Sequence, residues 1–448
     1  MNQHSAWRIG VVVAVGLITG CHQEDPPPPI VECPAPQGPT LHKSDVTKDE
    51  TWTAAGSPHL IEGDVDIVDG ATLRIEPCAE VRLGAGSHLR VAFPYTPNRG
   101  TLLAEGTEQR PITFKAAGSA PWASLFIHTP GTARLAWATF EGGGSEAFED
   151  NATIHVKGGQ LAEPLLFVDH VTIKGSKGTG IGFDGAAAFV AGSQALTITG
   201  SGGPENAYPL TISEHALGSV PAGTYTGNLV DEILIDPVGT AVAGEGIVKD
   251  LTISDRGVPY HVGRWRGDDL VLGGPRGTLT TVTIEPGVVL KFEPQTALEV
   301  QHFTTQEAST ASLRALGTAE KPIVFTSAAA SPRAGDWRGL WYGGIPAASN
   351  LLQHVRIEYA GYSCACVLTT CSAISDWEGA IIFTAQPPGA FISDTTFKDI
   401  AGHGVTQGFD GTLVDFRSRN TFVNVSGCEQ TRPRNADTTC PDPRPACD

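Results

Sequence analysis

The sequence predicts an all-β solenoid of stacked parallel coils, and three observations predict it. The first is long-range self-similarity: Thr101–Ala117 reads TLLAEGTEQRPITFKAA and Ser312–Ala328 reads SLRALGTAEKPIVFTSA. Ahead of these lie Leu73–Pro77 (LRIEP) and Val282–Pro286 (VTIEP), followed by the strand-like runs Glu80–Leu83 and Val289–Phe292. Further on, Leu135–Glu141 (LAWATFE) answers Leu352–Glu358 (LQHVRIE), and Phe167–Lys174 (FVDHVTIK) answers Phe391–Lys398 (FISDTTFK). Repetition on this scale marks a stacked architecture. The second observation is a series of short runs alternating apolar and polar residues, separated by turns rich in the chain's 53 glycines and 32 prolines. Such alternation belongs to strands with one wet face. The third is the absence of Asn-Gly hairpin signals, which disfavours a meander and favours coils that return in the same direction.

Taken in chain order, residues 1–20 read as an export signal. One positive charge, Arg8, precedes an apolar run, Ile9–Ile18, too short for a membrane span. The run ends Leu17-Ile-Thr-Gly-Cys21. Small residues directly before a cysteine resemble the bacterial lipobox, and this resemblance implies cleavage before Cys21 and lipidation there. Several acyl chains on one residue give the multiple anchors that stable membrane attachment needs. Residues 21–50 then form a tether in which Pro26–Pro29 and further prolines favour extended polyproline II.

Residues 51–256 are expected to form a first β-helical unit and 257–427 a second, homologous one. In the first, the expected strands include His59–Glu62, Thr72–Ile75, His88–Val91, Pro111–Phe114, Ser124–Ile127, Thr153–Val156, Leu165–Val168 and Val171–Lys174. Ala195–Thr199, Glu232–Ile235 and Asp250–Ser254 continue the style. At 20–25 residues per coil the body would hold roughly fifteen coils, a rod of about 70 Å. Residues 428–448, rich in Cys and Pro, are expected to cap the last coil, because an open strand edge invites association.

Lys and Arg number 30 against 48 Asp and Glu, for a net charge of −18. That opposes nucleic acid and anionic lipid surfaces as partners, since both bind through basic patches. With Cys21 lipidated, eight cysteines remain: Cys33, Cys78, Cys364, Cys366, Cys371, Cys428, Cys440 and Cys447. An even number in an exported chain reads as disulfides. Cys78 stands where the second copy has Gly287, and Cys33 is its candidate partner. A bridge from the tail to the 364–371 segment is expected to help the cap, the alternative being local pairing such as Cys440 with Cys447. Cys364, Cys366 and Cys371 lack the spacing of a zinc site.

Gly56–Gly63, Gly70–Pro77 and Gly106–Phe114, with Thr283–Gly287, Gly317–Phe325 and Gly335–Trp341 in the second half, resemble bacterial cell-surface proteins with a right-handed parallel β-helix of the pectin-lyase-like kind. The resemblance covers most of residues 56–425. It implies a right-handed helix at the cell envelope, outer membrane or cell surface, with polysaccharide or another surface protein as partner. It does not settle activity, because polysaccharide lyases and hydrolases share this fold with adhesins.

The enzymatic alternative rests on few residues. Gly402-His403-Gly404 resembles a polygalacturonase motif, and Asp268-Asp269 resembles that family's paired carboxylates. More than a hundred residues separate the two, too many for carboxyls that must face one sugar. A lyase would need Ca²⁺ ligands on adjacent coils, for which Asp64, Asp66, Asp394, Asp399 and Asp410 are the acidic candidates. No nonapeptide Ca²⁺ repeat is present, so ordered calcium stacking is not expected; no cofactor is expected for the non-catalytic reading, and Ca²⁺ stays open for the lyase. Trp337, Trp341 and Tyr342, with Tyr359 and Tyr362 nearby, would stack on a sugar if exposed. The apolar counterpart Pro121–Ile127 favours packing instead. The expectation is a lipid-anchored, non-catalytic binding, adhesion or structural protein, with a polysaccharide lyase or glycoside hydrolase as the alternative.

Overall fold

In a computed structural model the described residues are Met1 and 32–448, apart from 94–97, 146–150, 160–162, 205, 238–245, 275–277, 302–306, 364–378 and 443–446. Cys21, the export signal and most of the tether therefore lie outside the described residues, as do Cys364, Cys366 and Cys371.

The fold is the expected all-β parallel β-helix. One sheet of 13 strands runs from Asp64–Ile67 to Thr421–Val425, taking one strand from each coil. Every strand pair in it is parallel, and the register is continuous. One inward column passes through Val65, Leu89, Leu125, Ile154, Ile181, Leu210, Ile233, Tyr260, Leu290, Phe325, Ile357 and Phe397, all buried, and ends at half-buried Phe422. Each such side chain contributes about 1.5–3 kcal/mol through burial. The alternation read from the sequence is thus what stacks the coils. Thirteen stacked strands span about 58 Å at ~4.8 Å per step, and the parallel bridge of Val46 to Ile67 adds a further coil ahead of them.

The other walls change along the axis. In the first half a 12-stranded sheet bends into two arms. Thr132–Glu141 and Glu163–Lys174 each run through the bend, so one half of each strand lies in either arm. The two runs expected at 165–168 and 171–174 are therefore one strand, turned at His170 with φ 53°. In the second half two separate five-stranded sheets take the place of the bent one. Across Gly257 the continuous sheet is unbroken, with Ile233–Ile235 paired to Tyr260–Val262.

The internal repeat holds at the atomic level. Trp122 and Trp337 are both fully buried, and each donates Nε1–H to a backbone carbonyl one coil on, Glu141 and Glu358 respectively, at 2.8 Å. The left-handed corner residues also match: Trp137 with His354, His170 with Asp394, and Cys78 (φ 77°) with Gly287 (φ 91°).

Each end carries a disulfide. The expected disulfide Cys33–Cys78 is formed, with Cα atoms 5.6 Å apart. It pins the segment ahead of the first coil to that left-handed corner. At the other end the tail pairs with the edge strand His403–Gln407: Gly404 N–H donates to Cys428 O at 2.9 Å and Thr431 N–H to Val405 O at 2.9 Å. Cys447 bonds to Cys428, a local pairing within the tail, with Cys428 in place of the Cys440 given as the example; the expected bridge to the 364–371 segment falls on residues outside the described ones. Cys440 is itself disulfide-bonded.

Candidate functional site

The second arm of the bent sheet carries an ordered outer surface. Its strands contain the tripeptides Ile112-Thr-Phe114, Ala138-Thr-Phe140, Val171-Thr-Ile173 and Leu196-Thr-Ile198. Alternation puts the flanking apolar residues inside and the threonine outside. Parallel register then aligns Thr113, Thr139, Thr172, Thr197 and Thr224 in one column. The hydroxyl-bearing side chains repeat at ~4.8 Å along the axis, a row of about 19 Å.

On one side runs the bend, where the register stacks Pro111, Trp137, His170, Ala195 and Ala222. Trp137 and His170 stack with ring centroids 4.0 Å apart and planes 5° apart. Asp169 Oδ1 meets His170 Nδ1 at 2.7 Å and accepts from Gln194 Nε2 at 3.1 Å, which holds the imidazole in place. After His170 the column drops to alanine, leaving a step beside the threonines. The resulting open cleft is about 420 Å³, lined by Trp137, His170, Thr139, Thr172, Thr197 and Thr224.

On the other side lies a charged column, Arg82, Lys115, Glu141 and Lys174. Lys115 and Arg82 both pair with Glu80. Against the opposing effect of burial, their hydrogen bonds hold its carboxyl below the usual range. The surface thus offers hydroxyl donors and acceptors, an aromatic wall and fixed cations.

The second copy shows that the coil itself does not require this row. Its aligned positions are Val324, Arg356, Thr396 and Thr421, also in continuous register. Trp137 and His170 are replaced there by His354 and Asp394.

The residues singled out from sequence fall elsewhere. Trp337 and Tyr342 are fully buried in the core, so neither can meet a sugar; Trp341 points the other way along the strand and is half-buried. Trp337 stacks on Phe292 at 4.2 Å instead. Tyr362 accepts a hydrogen bond from Gln295 Nε2 at 2.6 Å. His403 is buried, and its Nδ1 accepts from Cys428 N–H at 2.9 Å, so it serves the C-terminal cap.

Asp269 stands at the start of strand Leu270–Leu272, in the same sheet as His403 but with three strands between. That separation is about 19 Å along the stack. Burial first and Glu299 second push the Asp269 carboxyl up to about 7, outweighing Arg338 at 3.1 Å. Asp268 Oδ2 accepts from the amides of Arg264 and Trp265, closing a turn. The resemblance to a polygalacturonase centre therefore does not assemble.

Asp64 and Asp66 are both engaged by Arg90, at 2.9 and 2.6 Å, and Asp64 also by His88. Asp399 accepts from Asn424, and Asp410 faces Arg434 at 3.8 Å. Among the described residues no group of three or more His, Cys, Asp or Glu side chains could hold a metal ion. No protein-family model, curated protein or solved structure matches this chain.

Proposed function

We propose that this chain is a non-catalytic binding protein of the bacterial cell envelope, lipid-anchored through Cys21, that holds a linear polysaccharide along its threonine face. The observation that carries the reading is the column of five threonines beside the Trp137–His170 step. A polymer lying along the axis would meet an equivalent hydroxyl at every coil, and the step admits a ring against the outer face of His170. Disulfides at both ends suit an extracytoplasmic location. The separation of His403 from Asp269 supports binding without turnover.

The test is affinity electrophoresis of the full chain through gels carrying a panel of linear polysaccharides. At least one should retard it, and Thr172→Lys or Thr197→Lys should weaken that binding tenfold or more. Thr396→Lys, at the matched position of the second copy, should leave it unchanged. Equal effects of all three substitutions, or release of reducing ends by the native chain, would overturn the reading. For the anchor, Cys21→Ser should release the protein from the membrane fraction or leave an unprocessed precursor.

A further inference from the structure

A second concavity lies where the solenoid changes its pattern. The first arm of the bent sheet ends at Ala187–Phe189. In the next coil a short 3-10 helix, Glu214–Ser219, takes the strand's place, tied back by Phe189 N–H to Ser219 Oγ at 3.2 Å. The following coil resumes with strand Leu251–Ile253, which sits close on this helix because Gly218 has no side chain. A Cβ there would lie 3.0 Å from that of Leu251. A 3-10 turn offers no strand edge, so the ladder of this wall is interrupted and the neighbouring coils do not close over it. The gap is an open cleft of about 740 Å³, within the range of small-molecule sites.

Its chemistry is divided. Phe189, Ala216, Val220, Pro221 and Leu251 supply apolar surface, while His215, Lys249, Asp250 and Arg256 are its charged or titratable lining. Asp250 is already engaged, its Oδ1 accepting from Thr281 N–H at 2.7 Å. Arg256 is held in a fixed pose by Nε and Nη2, which donate to Val220 O at 3.0 and 2.6 Å. Lys249 is exposed at the rim. In a chain with 48 acidic and 30 basic residues, a cleft with two permanent cations and one engaged carboxylate is a local reversal of sign. Such reversal selects anions.

We propose that this cleft binds a small organic carboxylate with an apolar body. Arg256 and Lys249 meet the carboxylate, and Val220, Pro221 and Leu251 cover the body. The site adjoins the threonine face at Ala222 but is lined by other residues, and it does not depend on the function proposed for that face. The test is isothermal titration of the full chain with decanoate, and with decanol as the neutral control. Decanoate should bind saturably at one site, at least tenfold more tightly than decanol. Lys249→Glu, which alters the rim, and Ala191→Trp, which fills it from an exposed position, should each weaken decanoate binding tenfold or more. Thermal melts should match the native chain, since both positions are exposed. Absence of saturable decanoate binding to millimolar concentration, equal binding of decanol, or indifference to both substitutions would overturn the proposal.

Discussion

The two copies of the repeat are alike inside and different outside. Both bury a tryptophan that donates to a glutamate carbonyl one coil on, and both turn at matched left-handed corners. Outside, one copy carries a threonine row beside an aromatic step, and the other carries valine, arginine and two threonines. The copies also sit on different walls. Glu80–Leu83 lies in the bent sheet, whereas its counterpart Val289–Phe292 lies in the continuous one. The repeat is therefore displaced by one wall around the helix. The lesson is that the repeat specifies how a coil is built, while the stretch between the copies sets where around the axis each element lands. Positions free to diverge without disturbing the coil are the outer ones, and there the candidate ligand surface is found.

If the interior of each copy is equivalent, Trp122→Ala and Trp337→Ala should each cost about 3–5 kcal/mol, measured by denaturant unfolding. A value near zero for one of them would break the equivalence. The end bridges come next. Removing Cys33–Cys78, with a sequence separation of 45, should cost about 4 kcal/mol, and removing Cys428–Cys447, with a separation of 19, about 3 kcal/mol in the chain-entropy model. Paired Cys→Ser variants followed by thermal melts would rank them, and a reversed order would show that the C-terminal tail holds the cap more firmly than loop length alone implies.

The junction between the copies should respond to pH. His261 lies between Glu232 and Glu293, 2.9 Å from each, and Lys291 also pairs with Glu232. Against burial, which would lower it, these carboxylates raise the His261 pKa above 6.5. Its contribution is fully present below 6.5 and is lost as pH rises through the raised value. Glu232 is shifted the other way: against burial, its hydrogen bonds to His261 and Lys291 lower its pKa from 4.5. Its contribution is present above 4.5 and fades as pH falls through the folded value. Stability from this cluster should therefore be greatest between about 4.5 and 6.5. His261→Gln should flatten the decline on the alkaline side, read from melting temperature against pH, and an unchanged profile would remove the cluster from the junction's energetics.

The smallest expected effect is on the surfaces themselves. Thr172→Val and Thr396→Val should each change stability by less than about 0.5 kcal/mol, since both retain a β-branched outward residue. Only Thr172→Val should weaken polysaccharide binding.

Most of the fold was legible because a buried column demands one apolar residue at a fixed place in each coil. Runs such as Ile112-Thr-Phe114 announce that demand locally. The Cys33–Cys78 bridge was legible for a related reason, the departure of Cys78 from its glycine counterpart. The threonine column was not legible, although every one of its tripeptides stands in the sequence. Residues 25 or more positions apart become neighbours only through the register of parallel strands, as Thr172 and Thr197 do, and coil lengths vary too much to count that register out. The tryptophans misled for a similar reason. An aromatic on a strand is a core residue or a ligand platform according to which way the pleat faces, and Trp337 and Tyr342 face inward.

By itself, then, the sequence determined the all-β class, the parallel coil and the equivalence of the two copies' interiors, because those follow from local alternation and repetition. The tertiary structure alone decided the bent sheet against the two short ones, the one-wall displacement between copies, and the clefts beside Thr172 and Arg256. Each of these depends on how coils are stacked and phased about a common axis, which is a sum over the whole chain and not a property of any segment.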